Sequence, residues 1–89
     1  MVKIDRAFIA GLPHDHGDTT VVASVVRLGH QLGLEILAEG IETDEQLTTV
    51  REMGCNLVQG YLLGRPMPIH QTDRFCRRLT QTGAPSQPG

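Results

Sequence analysis

The sequence predicts an α/β unit in which parallel strands alternate with helices. Three apolar runs of strand length occur among the 89 residues, and each is followed by a stretch of helical periodicity. The runs show little alternation of polar and apolar residues, which indicates strands covered on both faces. Strands and helices that alternate in this order form parallel sheets with right-handed crossovers. The pattern fits both a piece of a barrel and a small open sheet.

The first unit begins with a short strand at residues 2–5. A loop dense in turn residues follows at residues 11–18, and Asp18 is expected to cap the next helix with its side-chain oxygen. Gly33 fits the left-handed position that ends this helix. The stripe of residues that the helix buries is predicted to comprise Val21, Val22, Val25, Val26, Leu28, Gly29 and Leu32.

The second unit has a strand at residues 35–38 and a sharp turn at residues 39–42. Thr43 and Gln46 have the spacing of a capping box, in which each residue satisfies a backbone donor of the other. Gly54 is expected to close the helix that follows. The inward side of this helix carries Leu47, Val50 and Met53.

The third strand is predicted at residues 56–59, and a loop follows at residues 60–68. Pro66 and Pro68 are expected to bar regular structure from this part of the loop. A last helix is predicted at residues 72–80. The tail at residues 83–89 has a composition typical of disordered segments.

Composition excludes several classes of function. The net charge is −2, which leaves no basic footprint for a nucleic acid polymer or an anionic membrane. No apolar run approaches the ~20 residues of a membrane span, and the first residues lack the apolar stretch of a signal peptide. Cys55 and Cys76 make neither a disulfide framework nor a CxxC pair, so reduced thiols are expected. We therefore expect a cytoplasmic protein.

Polar residues follow or end all three predicted strands. Lys3 and Asp5 belong to the first, Glu39 and Glu42 follow the second, and Gln59 ends the third. Chemistry in parallel α/β folds gathers beyond the carboxyl ends of strands. One interpretation is a buried pair of Lys3 with an acid; the other is a site for an anionic, metal-bound substrate. Asp5 has a further alternative, because it could cap the turn after its strand.

Other short signals carry little weight. The segment His14-Asp15-His16 could bind a metal, but a solvated loop is the simpler interpretation. Neither GxGxxG nor GxxxxGK[ST] occurs, so the sequence gives no support for a common dinucleotide site or a P-loop.

Four longer motifs occur in the chain. They are Lys-Ile-Asp-Arg-Ala-Phe at residues 3–8, Ala-Glu-Gly-Ile-Glu-Thr at 38–43, Gly-Cys-Asn-Leu-Val-Gln-Gly-Tyr at 54–61, and Arg-Pro-Met-Pro at 65–68. In order and in spacing this set resembles the KID-x-x-F, AEG-V/I-ET, G-C-D/N-x-x-QGY and RP-x-P motifs of EAL domains. The resemblance extends over residues 2 to about 79. An unrelated small α/β protein is the remaining interpretation, and the four-motif match argues against it.

The resemblance implies a modified TIM barrel that hydrolyses cyclic di-GMP with Mg²⁺ or Mn²⁺. By the same resemblance Lys3, Glu39 and Gln59 are catalytic. Lys3 corresponds to a lysine near the scissile phosphate, Glu39 to the general base or water-orienting acid, and Gln59 to the far wall of the site. The weaker candidates are Arg65 and Pro66 for substrate binding, and Glu42 and Asp5 for the metal.

Much of the family's pattern is absent from this chain. The EAL tripeptide, the family's metal-binding Asn, a further Glu and the paired Asp residues do not occur at the corresponding places. We therefore expect residues 1–82 to be the C-terminal part of an EAL domain, the last three βα units of a (β/α)8 barrel, with 83–89 as a tail. A chain of this kind is expected to bind no metal alone and to be inactive.

Two further expectations concern partners. A three-stranded sheet taken from a barrel has open edges, so a homo-oligomer that pairs those edges is expected. The alternative to a part of a phosphodiesterase is a non-catalytic module that binds cyclic di-GMP or another protein.

Overall fold

The computed structural model describes residues 1–60 and 65–72. The predicted helix at 72–80 lies outside these ranges except for its first residue, and the predicted tail at 83–89 lies wholly outside them. The elements in chain order are β1 (Val2–Ile4), α1 (Arg6–Ile9), α2 (His16–Gln31), β2 (Ile36–Ile41), α3 (Asp44–Met53), β3 (Leu57–Gly60), β4 (Met67–Pro68) and a 3-10 helix (Ile69–Thr72).

The sheet has the order β1-β2-β3-β4. The first three strands are parallel, as predicted. The fourth is antiparallel: Met67 lies opposite Val58, and Pro68 lies opposite Leu57. The expectation that the prolines bar regular structure was therefore wrong for Met67–Pro68. An edge strand tolerates proline because it does not need every backbone N–H as a donor.

One hydrophobic core joins the helices to one face of the sheet. Ile4, Ala38 and Val58 contribute from three adjacent strands, and all are at most 5% exposed. The other buried members of this cluster are Ile9, Leu12, Val22, Val26, Ile36, Ile41, Leu47, Val50 and Cys55. At Gly29 the backbone of α2 comes so close to β2 that an added Cβ would overlap the Ile36 side chain.

Helix α2 begins earlier than the sequence predicts. Asp15 is the N-cap residue, with extended backbone angles, and its carboxylate accepts a hydrogen bond from the Asp18 N–H at 2.8 Å. Asp18 lies in the first turn, so the prediction that it caps the helix was wrong. An acid in the first turn still stabilises the helix because the backbone dipole is positive there. Gly33 lies just beyond the helix with φ +74°, in the left-handed conformation predicted for it.

Helix α3 has the predicted ends. The Thr43 hydroxyl accepts from the Gln46 N–H at 3.0 Å, and the Gln46 side-chain oxygen accepts from the Thr43 N–H at 3.2 Å. Gly54 follows with φ +97°. None of the helices in residues 1–60 and 65–72 is long and apolar enough to cross a membrane.

Candidate active site

Lys3, Glu39 and Gln59 lie on the same face of the sheet. Lys3 is opposite Leu37 in the parallel register of β1 and β2, and Glu39 is opposite Gln59 in that of β2 and β3. Successive side chains of a strand point to opposite faces. Lys3, Leu37, Glu39 and Gln59 therefore share the face opposite to the one that packs against the helices. The fold thus places the three predicted catalytic residues in one row toward the carboxyl ends of the strands.

Within residues 1–60 and 65–72, the side-chain polar groups of this row make no hydrogen bond or ion pair. Lys3 is exposed, whereas Glu39 and Gln59 are half-buried. The ion pair that the described residues form is between His14 and Glu45, and it involves none of the three. The buried pair of Lys3 with an acid, one of the two interpretations of the sequence, is therefore not formed.

A β-bulge follows Glu39 and sets the direction of Ile41. Glu39 pairs with Gln59, but the next residue of β3, Gly60, pairs with Ile41, so Gly40 is an extra residue in β2. Gly40 has φ +81°, a conformation that costs glycine little. The extra residue returns Ile41 to the core, where it is fully buried, while Glu39 stays on the other face. The sequence predicted a turn here, but β2 continues through Glu39 and Gly40 as far as Ile41.

Gly60 allows β3 to approach this bulge. A Cβ atom added to Gly60 would overlap the Ile41 carbonyl oxygen. The absence of a side chain at residue 60 therefore keeps the two strands in contact beyond the Glu39–Gln59 pair. Gly60 belongs to a motif that the sequence already singled out, but its steric role depends on a strand pairing that only the structure shows.

Asp5 and Glu42 lie in different surroundings from the row. The Asp5 carboxylate accepts a hydrogen bond from the Ala7 N–H at 2.9 Å and caps α1. The capping alternative for Asp5 is therefore what the structure shows. Glu42 is exposed, and with Arg6, Ala7, Ala10 and Gly40 it lines a pocket between α1 and the end of β2. Arg6 belongs to the motif at residues 3–8 but was not among the residues predicted for the site.

The described residues do not form a metal cluster on their own. Within residues 1–60 and 65–72, no three side chains of His, Cys, Asp and Glu come together closely enough to hold a metal ion. In the segment His14-Asp15-His16, His14 contacts Glu45 at 3.2 Å and Asp15 caps α2. All three residues are exposed, but only His14 and Asp15 precede the helix, because His16 is the first residue of α2.

Arg65 and Pro66 immediately precede β4 and are both exposed. Because Met67 pairs with Val58 in the antiparallel direction, these two residues lie near the carboxyl end of β3. They are therefore on the side of the sheet where Gln59 ends the row. Residues 61–64, which connect them to β3, lie outside the described residues.

The fold and this row of polar residues define an α/β domain with a candidate site at the carboxyl ends of its parallel strands. The family model of the EAL domain matches residues 1–66, so the chain belongs to the EAL domain family. The resemblance seen in the four motifs is thereby confirmed.

Relatives and solved structures support the same family. The bifunctional diguanylate cyclase/cyclic di-GMP phosphodiesterase MucR of Pseudomonas aeruginosa is 51% identical over 70 residues, which are 79% of this chain and 10% of MucR. The cyclic di-GMP phosphodiesterase NbdA of the same organism is 38% identical over 84 residues, which are 94% of this chain and 11% of NbdA. The chain thus spans about a tenth of the length of these relatives.

Two solved structures show what similar proteins bind. The PaMucR phosphodiesterase in complex with c-di-GMP matches with a TM-score of 0.67 and 52% identity, over 78% of this chain and 28% of that one. A manganese/cyclic di-GMP complex of Klebsiella pneumoniae BlrP1 matches with a TM-score of 0.67 and 34% identity, over 75% of this chain and 17% of that one.

Proposed function

We propose that this chain is the part of an EAL phosphodiesterase domain that supplies Lys3, Glu39 and Gln59 to the hydrolysis of cyclic di-GMP. The observation that supports this most is the common face of these three residues. All three have free polar groups on that face, and Glu39 and Gln59 are adjacent in the register. Two relatives named as cyclic di-GMP phosphodiesterases share the family, and a similar structure holds the dinucleotide.

Each residue of the row has a role that its chemistry can perform. The Lys3 ammonium group neutralises charge that develops on the scissile phosphate in the transition state. The Glu39 carboxylate orients the attacking water and accepts its proton, as a general base does. The Gln59 amide hydrogen-bonds the water or a phosphate oxygen. Arg65 and Pro66 border the groove of the dinucleotide near the end of β3.

A divalent cation belongs to this proposal, but the described residues do not make up a complete site for it. Mg²⁺ requires about six oxygen ligands, of which carboxylates supply part. Glu39 is the carboxylate of the row, the Asp5 oxygen is engaged by the Ala7 N–H, and Glu42 faces a different pocket. We propose that Mg²⁺ or Mn²⁺ binds when acids from the rest of an EAL barrel join Glu39. The role of Asp5 and Glu42 as ligands of that metal stays a prediction.

The chain alone is therefore proposed to be inactive and to bind no metal. It would form the last three βα units of a barrel, with residues 1–82 as the EAL part. We also propose that the protein is located in the cytoplasm. Strand β1 is at one edge of the sheet, whereas β4 pairs with β3 on the other side. Self-association through the unpaired side of β1 is the form of homo-oligomer that this sheet order favours.

Two measurements test the proposed function. The first is turnover of cyclic di-GMP by the purified 89-residue protein with Mg²⁺ or Mn²⁺, for which we expect no significant rate. The second replaces the aligned stretch of 70 residues in the EAL domain of MucR by that of this chain. We expect the chimera to hydrolyse cyclic di-GMP. A folded chimera with no hydrolysis would overturn the proposal, and robust turnover by the chain alone would overturn its inactivity.

A further inference from the structure

The side-chain oxygen of Gln46 makes a hydrogen bond that the capping box of α3 does not require. A capping box is complete when this side chain accepts from the N–H of the cap residue, here Thr43 at 3.2 Å. The same oxygen also accepts from the N–H of Glu42 at 2.7 Å, one residue before the cap. The shorter of the two bonds therefore extends beyond the helix to the segment that follows β2.

Gln46 is a rigid anchor for this segment. It is only 5% exposed, and its neighbours Leu47 and Val50 on α3 belong to the hydrophobic core. The Gln46 N–H also donates to the Thr43 hydroxyl at 3.0 Å. Buried side chains on a packed helix are held in a single staggered rotamer. The position of the Gln46 oxygen is therefore set by the core of the protein.

The segment from Glu39 to Glu42 needs an anchor because it contains Gly40. Glycine has more conformational freedom than any other residue, and Gly40 is the extra residue of the bulge, with φ +81°. One end of the segment is held where Glu39 pairs with Gln59 in the strand register. The hydrogen bond from the Glu42 N–H to Gln46 holds the other end. The segment is therefore fixed on both sides of the glycine.

We infer that Gln46 is a positioning residue for hydrolysis, whose oxygen holds the end of β2 so that the Glu39 carboxylate keeps its place. The inference rests on the proposed function, in which Glu39 orients the attacking water. Gln46 acts through the backbone rather than on the substrate. A displacement of about 1 Å can lower the rate of a catalysed reaction about 100-fold, so loss of this anchor has a measurable effect.

The test compares Gln46→Met with Gln46→Glu in the MucR chimera. Methionine fills a similar space without the oxygen acceptor, whereas glutamate keeps the acceptor and is common in capping boxes. We expect Gln46→Met to lower kcat for cyclic di-GMP at least about tenfold and to change KM less than about twofold, because Glu39 acts on the water. Gln46→Glu should keep kcat within about threefold of that of the unsubstituted chimera. Gln46→Ala, which also lacks the acceptor, takes the place of Gln46→Met if that variant does not fold.

Thr43→Val is the matched control for a merely structural effect. It removes the hydroxyl that accepts from the Gln46 N–H and so weakens the cap of α3, but it leaves the bond to the Glu42 N–H in place. Urea denaturation should show similar losses of stability for Thr43→Val and Gln46→Met, whereas kcat should fall only in Gln46→Met. An equal fall of kcat in both variants, or an unchanged kcat in Gln46→Met, would overturn the inference.

Amide hydrogen exchange in the 89-residue chain tests the anchor without catalysis. The Glu42 N–H should exchange at least about tenfold faster in Gln46→Met than in the wild type, because its acceptor is lost. Thr43→Val and Gln46→Glu should leave this exchange close to the wild-type rate. Exchange that is equally slow in Gln46→Met would show that Gln46 does not hold the segment, which also overturns the inference.

The failure of this inference can be distinguished from the failure of the proposed function. A folded, unsubstituted chimera that does not hydrolyse cyclic di-GMP overturns the proposed function and the role of Gln46 together. A chimera that hydrolyses cyclic di-GMP with a kcat insensitive to Gln46→Met overturns the role of Gln46 alone.

Discussion

Glu39 of β2 and Gln59 of β3 lie directly opposite each other in the parallel register, immediately before the bulge at Gly40. The bulge returns Ile41 to the core, where it is fully buried, whereas strand alternation keeps Glu39 on the other face. Two glycines make the geometry sterically possible. Gly40 adopts φ +81°, and Gly60 has no Cβ to strike the Ile41 carbonyl.

Replacing Gly40 by alanine is expected to destabilise the protein more than the same change at Gly33. Both residues have positive φ, +81° and +74°, so both variants carry the cost of a left-handed alanine, about 1 kcal/mol. The Cβ at residue 40 would also overlap Arg6, whereas no atom lies within 4 Å at residue 33. Urea denaturation should show a loss of about 1 kcal/mol for Gly33→Ala and about 3 kcal/mol for Gly40→Ala. Equal losses would mean that α1 does not pack tightly on the bulge.

Asn56 is expected to stabilise the start of β2 through its side-chain oxygen. This oxygen accepts a hydrogen bond from the Ile36 N–H at 2.8 Å, and Ile36 is fully buried. Asn56→Ala leaves a buried donor without a partner, which should lower the free energy of unfolding by about 2 kcal/mol. Asn56→Asp keeps the acceptor and is the matched control, with a stability close to that of the wild type. The same loss for both variants in thermal denaturation would show that this hydrogen bond does not stabilise β2.

Cys55 is expected to make stability depend on pH in the alkaline range. Burial raises the pKa of its thiol from about 9.0 to about 11, so between these values the unfolded chain ionises while the folded protein keeps its proton. The unfolded state then binds fewer protons, and the free energy of unfolding falls as pH rises from 9 to 11. Urea denaturation across this range should show the fall in wild type and a smaller one in Cys55→Ala. An equal fall in both proteins would assign the effect to other groups.

The same burial predicts slow alkylation of Cys55 by iodoacetamide. The thiolate is the reactive form of cysteine. With a pKa of about 11 instead of 9.0, the fraction of Cys55 that is thiolate at pH 8 is about 100-fold smaller. Cys76→Ser provides a background in which Cys55 is the single thiol. Mass spectrometry should find rapid modification in urea and at least tenfold slower modification without it. Equal rates would show that Cys55 is accessible in the folded protein.

The sequence could predict the parallel strands and the ends of α3 because these depend on local patterns. Thr43 and Gln46 make the capping box that their spacing indicates, and Gly54 has the expected positive φ. The pairing of Met67–Pro68 with β3 could not be predicted, because a two-residue strand has no periodicity of its own. The polar residues at the strand ends were identified, but the role of Asp5 as the cap of α1 was left open beside a metal-binding role. Asp5 can act as a cap because α1 begins directly after β1. The pattern of the first residues did not indicate this helix.

The position of the bulge was also hidden in the sequence. Glycine between Glu39 and Ile41 is equally suited to a turn and to an extra residue within a strand, since both use its positive φ. The pairing with β3 shows that Gly40 is an extra residue within a strand, because β3 pairs with β2 on both sides of the irregularity. For the same reason the pocket of Arg6 and Glu42 could not be foreseen, because its two charged residues are 36 positions apart in the chain.

Glu39→Gln in the MucR chimera shows whether the row of Lys3, Glu39 and Gln59 serves hydrolysis. The carboxamide keeps the shape of the side chain but cannot accept a proton from water as a general base does. Glu52→Gln, at an exposed position of α3, is the control. We measure the rate of conversion of cyclic di-GMP to the linear dinucleotide with Mn²⁺. We expect a loss of at least about 100-fold for Glu39→Gln and none for Glu52→Gln. Unchanged hydrolysis in Glu39→Gln would show that Glu39 is not the general base.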